Sequence, residues 1–284
     1  MKKTIPFLKS FFRIFFAVYI SALLFLFLFQ EKLLFYPVPL SQSSIKEIQR
    51  FHPDVKEFHL ASNDGKNLHG WIVDNSEEDK TPFGVVFYFG GNAEEVSHWI
   101  NKLRNLDGWI FVLPNYRGYG LSEGRPGEKM LFDDALKIFD HFDSKNKYSG
   151  IKKVSMGWSL GTGVAVHLAH KRNIDGVFLI SPYDSITNIA KQNYPVFPIS
   201  LMIRHPFDSA SIAPEITAPA RIVAASRDRV IPPANSIKLA SLWGGDKDIL
   251  IVENYDHNSL INSPVFKKYF AESFSFFGEV QQSN

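Results

Sequence analysis

Gly157-Trp158-Ser159-Leu160-Gly161 sets a serine between two glycines, each two positions away. A hydroxyl becomes an acyl-transfer nucleophile only when a nearby base takes its proton, and an imidazole oriented by a carboxylate is the usual base. The chain has no cysteine, which excludes a thiolate nucleophile, a disulfide and a thiolate metal site together and leaves the redox compartment open. Downstream of Ser159, only His205 and His257 lie outside the helical pattern that follows the serine. His257, in Asn254-Tyr255-Asp256-His257-Asn258, comes just after an apolar run, a framing that His205 lacks. Asp228, in Ser226-Arg227-Asp228-Arg229-Val230-Ile231-Pro232, also follows an apolar run and is the expected orienting acid. A surface salt bridge with Arg227 or Arg229 is its structural alternative, Asp184 is the rival acid, and Asp256 is too close to His257 in sequence to orient it. His167 and His170 share a helix face three residues apart with no evident third ligand, so neither a metal nor any other cofactor is expected.

Residues so far apart in sequence act together only on a scaffold that gathers them. Alternation and β-branching predict strands at 56–61 and 68–73, and continuous apolar runs predict buried strands at 84–89, 109–114, 153–156, 176–181, 220–225 and 249–254. Helical spacing appears at 94–105, 129–143, 160–172, 234–243 and 264–277. The alternation implies an α/β fold with about eight strands, mostly parallel, flanked by helices. Ser159 then falls at a strand-to-helix turn, which exposes its hydroxyl above the sheet. The N–H of Leu160 opens the following helix and is one expected oxyanion donor. The N–H of Asn92, in Phe89-Gly90-Gly91-Asn92-Ala93 after the first buried parallel strand, is the other; Asn92 also reads as the N-cap of the 94–105 helix. The proline-rich stretch 187–218 is the one long irregular segment and is expected to form a small cap.

From Phe11 to Phe29 the sequence carries a single charge, Arg13. Nineteen residues at about 1.5 Å each nearly cross a hydrocarbon core of about 30 Å. A membrane anchor in residues 1–30, followed by a catalytic domain in 31–284, is the expected organisation. Lys2, Lys3, Lys9 and Arg13 precede or open the run with no acid before Glu31, so the positive-inside rule leaves the N-terminus cytoplasmic and the body on the other side. A cleaved signal peptide fits less well, because its apolar core is shorter and the nearest small-residue site, Ser41-Gln42-Ser43, lies too far downstream. A buried helix is disfavoured by the lack of any polar face. A formal charge of +2, with no basic block after residue 40, gives no footprint for nucleic acid.

With these motifs in hand the chain resembles the α/β-hydrolase superfamily, and within it the membrane-anchored Bem46-like branch. The likeness rests on the anchor followed by LLFYP at 33–37, GGNAE at 90–94, NYRGYGLSEG at 115–124, GWSLG at 157–161, SRDRVIP at 226–232 and DHNSL at 256–260. It implies Ser159, Asp228 and His257 at the triad positions and Asn92 with Leu160 at the oxyanion positions. It also implies a serine hydrolase acting on carboxylic esters or thioesters, with a small acyl ester, a lipid or a lipidated protein as substrate. A serine peptidase and a catalytically silent interaction module are the alternatives. Relatives usually carry His-Gly-Asn where this chain has Gly90-Gly91-Asn92, so an imidazole beside the oxyanion loop is missing. Tyr116 and Arg117 in the NYRGYG loop are read as braces of that loop.

Overall fold

A computed structural model describes residues 4–279. Its sheet contains eight strands: β1 Lys56–Ala61, β2 Asn67–Asp74, β3 Gly84–Phe89, β4 Trp109–Pro114, β5 Lys152–Trp158, β6 Gly176–Ile180, β7 Ala220–Ala225 and β8 Lys247–Val252. They are ordered β1-β2-β4-β3-β5-β6-β7-β8. The β1–β2 and β2–β4 pairs are antiparallel and all later pairs are parallel, so the expected α/β architecture is the one observed. Every residue of β3 is buried, and the two-residue period of a strand divides them between two cores. Val85, Phe87 and Phe89 face Phe139, Phe142 and Val164 on one side, while Val86 and Tyr88 face Trp99, Phe270 and Phe274 on the other. Covering helices on both faces explain why these strands read as unbroken apolar runs.

The helices are α1 Thr4–Leu34, α2 Gln42–Phe51, α3 Ile100–Leu103, α4 Glu128–Asp143, α5 Leu160–Lys171, α6 Ile186–Asn193, α7 Ile199–Met202, α8 Ser209–Ile212, α9 Pro233–Leu242 and α10 Pro264–Glu279. Several of these correct the sequence reading. The helix expected at 94–105 is a 3-10 turn over Val96–Trp99 that runs into the four residues of α3. Glu95, not Asn92, caps that turn, its carboxylate accepting from the N–H of Ser97. The 187–218 stretch is not irregular, since it carries the short helices α7 and α8 and most of α6. α2 was not expected: the Ser41 side chain caps it and Ile45 anchors it to the body, so Ser41-Gln42-Ser43 opens a helix. β8 also ends two residues earlier than expected, before Asn254 at φ 67° takes the left-handed region.

Between Leu8 and Leu34, α1 is long and apolar enough to cross a membrane, and its apolar window is not buried in the protein. At about 1.5 Å per residue those 27 residues reach about 40 Å, more than a hydrocarbon core. The chain then enters the body at once: Phe35 is 4% exposed against the rings of His205 and Phe207, and Pro39 pairs with Gly120.

Candidate active site

The turn between β5 and α5 is fixed by close backbone packing. Ser159 sits there at φ 53° and ψ −118°, a conformation that costs a non-glycine residue about 1–3 kcal/mol and persists only where the surroundings enforce it. Those surroundings demand glycine on both sides. A Cβ on Gly157 would lie 2.4 Å from the Gly161 carbonyl oxygen, and one on Gly161 would lie 2.0 Å from that of Phe89.

The structure brings Ser159, His257 and Asp228 together from the C-terminal ends of β5, β8 and β7, the edge where open α/β sheets present ligands. His257 Nε2 is 2.9 Å from Ser159 Oγ, and His257 Nδ1 is 2.6 Å from Asp228 Oδ2. The other carboxylate oxygen of Asp228 accepts from the N–H groups of Val230 at 2.9 Å and Ile231 at 2.8 Å. Asp228 is 4% exposed and turned inward, while Arg227 bonds Asn254 instead. The ring of Trp158 stacks beside His257.

The rival residues have other work. Asp184 is buried beside Lys238, Asn235 and Asn188; burial pushes its pKa up, and those donors outweigh it and hold the carboxyl below its ordinary range. Asp256 accepts from Asn258 and Ser259 and shapes the turn that carries His257. His205 lies at the junction of cap and anchor, against Phe35. His167 stacks flat on Phe132 at 3.9 Å, and His170 pairs with Glu215.

Above the serine is a cavity of about 190 Å³ whose lining includes Gly91, Asn92, Trp158, Ser159 and His257. Among the described residues the N–H groups of Asn92 and Leu160 have no acceptor. For Leu160 this follows from its place at the start of α5, where helix N–H groups lack an intrahelical partner. The arrangement suits a reaction in which an oxygen gains negative charge next to Ser159.

Residues 84–204 match the family described as alpha/beta hydrolase fold. Protein bem46 of Schizosaccharomyces pombe is 28% identical over 81% of this chain and 80% of its own length. An uncharacterized membrane protein of Saccharomyces cerevisiae is 28% identical over 63% of this chain and 65% of its own. Among solved structures, the Pyrococcus furiosus esterase Pf2001 superposes with a TM-score of 0.64 at 16% identity, over 85% of this chain and 98% of that one. The chain has the α/β-hydrolase fold. The similarity to bem46 and the yeast membrane protein agrees with the Bem46-like branch, and the latter's name, together with α1, suggests membrane anchoring.

In this protein the Gly90–Glu94 loop is held from several sides, and most of the holders escaped the sequence reading. The hydroxyl of Tyr116 donates to the Gly90 carbonyl at 2.8 Å, as a loop brace should. Arg117 bonds Asp134 through two nitrogens and Asp64 through a third, tying the NYRGYG loop to α4. The Asn92 carbonyl accepts from the Tyr119 hydroxyl at 2.6 Å and from the Tyr36 N–H at 3.0 Å, and the Asn92 side-chain amide donates to the Leu34 carbonyl at 3.3 Å. The end of α1 is thus bonded to the loop beside Ser159. Glu94 is buried under the same loop, accepting from the Gly91 N–H at 2.6 Å and the Tyr88 hydroxyl at 2.7 Å, and burial raises its pKa. Its carboxyl lies 3.1 Å from where a Cβ at position 90 would stand, a tight but not excluded approach.

Proposed function

We propose that this protein is a serine hydrolase that cleaves carboxylic esters or thioesters through an acyl-enzyme on Ser159, at a membrane surface. The observation that carries this reading is the unbroken line from Ser159 Oγ to His257 Nε2 to His257 Nδ1 to Asp228 Oδ2, set beside two unpaired backbone donors. Asp228 accepts a hydrogen bond from His257 Nδ1–H, which leaves Nε2 with its lone pair toward the serine. His257 takes the hydroxyl proton as Ser159 Oγ attacks the acyl carbonyl. The N–H groups of Asn92 and Leu160 meet the oxyanion, each donor contributing roughly 2.7–4 kcal/mol to its stabilisation. Collapse breaks the bond to the alcohol or thiol, which leaves with the proton from His257. Water then attacks the acyl-enzyme with His257 again as base, the acid departs, and Ser159 recovers its proton. The esterase name of the Pyrococcus structure supports ester cleavage over peptide cleavage.

The anchor, with Lys9 and Arg13 at its start and a cytoplasmic N-terminus, would set the body on the non-cytoplasmic side. A fluorophosphonate probe tests the chemistry: labelling of wild type and loss of label in Ser159→Ala is the expected result, and a folded wild type that resists the probe overturns the reading. Protease protection of the body in sealed vesicles of known orientation tests the placement, and digestion from the cytoplasmic face overturns it.

A further inference from the structure

The cap does not merely cover the body; it is clasped along α1. The Tyr19 hydroxyl donates to the Val196 carbonyl at 2.9 Å, and the Tyr19 ring stacks on Phe197. Eleven residues further along α1, about 16 Å at helical rise, the Gln30 amide donates to the Met202 carbonyl at 3.2 Å and accepts from the Arg204 N–H at 2.7 Å. Both clasps lie within the stretch long and apolar enough to span a bilayer. If α1 spans a bilayer over that stretch, a cap bonded at both levels lies inside a leaflet. Two observations agree. The Val196 carbonyl receives its hydrogen bond from α1, as backbone in hydrocarbon requires. The large apolar side chains beside the clasp are bare, with Val196 69% and Leu201 88% exposed.

Between the two elements is an apolar cavity of about 230 Å³. Leu26, Leu33 and Leu34 of α1 form one wall, and Ile186, Ile189 and Met202 of the cap form the other. Leu26 lies at hydrocarbon depth, while the Leu34 carbonyl bonds Asn92, which lines the cavity over Ser159. The volume falls below the roughly 300–1,000 Å³ of sites that enclose a whole small molecule, so it suits one chain rather than a complete lipid. A partner-protein helix would need a groove open along its length, and this one is closed on two sides by the chain itself.

We propose that this cavity takes a single acyl chain of a bilayer lipid directly from the leaflet and that the ester of such a lipid is the substrate class of Ser159. The proposal rests on Ser159 being the nucleophile proposed above, so its test has an arm that needs no turnover. Full-length Ser159→Ala, reconstituted in phosphatidylcholine vesicles that contain a phosphatidylcholine with a diazirine near the end of one acyl chain, is irradiated and the adducts are mapped. Adducts on Ile189, Met202 or Leu26 are expected. Adducts confined to the outward residues of α1, such as Phe12 and Phe16, overturn the cavity while leaving the serine chemistry standing. In the second arm, Ala190→Trp fills the cavity from the cap side. The ratio of long-chain to butyryl ester turnover is expected to fall at least tenfold, and an unchanged ratio overturns the proposal. If Ala190→Trp fails to take the fluorophosphonate label and so is misfolded, the mapping arm alone decides.

Discussion

α5, which carries the turn of Ser159, buries nine of its twelve residues, whereas α6, at the head of the cap, buries none of its eight. Ser159, Asp228 and His257 follow directly from strands of one sheet, and all three are buried. The 187–218 segment is fixed to the body at its C-terminal side, where Phe207, Ser209 and Ala213 are buried, while its first half is held by a few hydrogen bonds and ring contacts to α1, the kind of element that opens at a small fraction of the global stability. On the readings proposed above, catalytic geometry and substrate choice would lie in regions that differ in packing.

The largest effects should come from the rigid half. Replacing His257 or Ser159 by alanine is expected to lower kcat/KM on a short acyl ester by about 10⁴ to 10⁶, and Asp228→Asn by about 10⁴. Asp184→Asn should keep turnover within about tenfold but lower the thermal midpoint, because Lys238 loses a buried partner; abolished turnover in this variant alone would reassign the acid. Gly161→Ala forces a Cβ into the Phe89 carbonyl and should cost about 3 kcal/mol in a denaturant titration. Leu201→Ala in the cap should change stability by less than about 0.5 kcal/mol. Equal losses at these two positions would erase the contrast between the regions.

Smaller effects probe the seam between them. Tyr119→Phe removes the hydroxyl that donates to the Asn92 carbonyl. A loss of about 1 kcal/mol is expected, read as roughly a fivefold fall in kcat with little change in KM. Glu128 accepts from the Phe207 N–H where the cap meets α4. Burial, with some repulsion from Asp208, raises its pKa from 4.5 to about 7. The folded state therefore holds this proton more tightly than the unfolded state. Its stabilising contribution is full below pH 4.5 and is lost as the pH rises through about 7. The thermal midpoint should fall across that window, and Glu128→Gln should flatten the slope; an unaltered slope would move its origin elsewhere, His205 being the nearest titrating neighbour.

The rigid half was legible in the sequence because its signals are local. GWSLG sits where an apolar run gives way to a helical pattern, and Asp228 and His257 each follow a strand whose apolar character is plain. The supports of the oxyanion loop were only partly legible. Tyr119, Tyr36 and Glu94 act through hydroxyl, backbone and carboxyl contacts to a loop whose path no periodicity encodes. The 94–105 segment has helical spacing, yet Glu95 is drawn into bonds with Trp71 and Asn115, and the helix shortens to one turn. The clasp between cap and anchor pairs Tyr19 with Val196, 177 residues apart, and nothing in either segment alone announces the other.

Because the chain passes from α1 through Phe35 and Tyr36 into the Asn92 loop, the tether cannot be trimmed without consequence. A body cut free just after Leu34 keeps the Tyr36 N–H but loses the α1 wall and both clasps on the cap. If the acyl-chain site proposed above holds, shedding would leave Ser159 to water-soluble esters, a change of diet rather than an off switch.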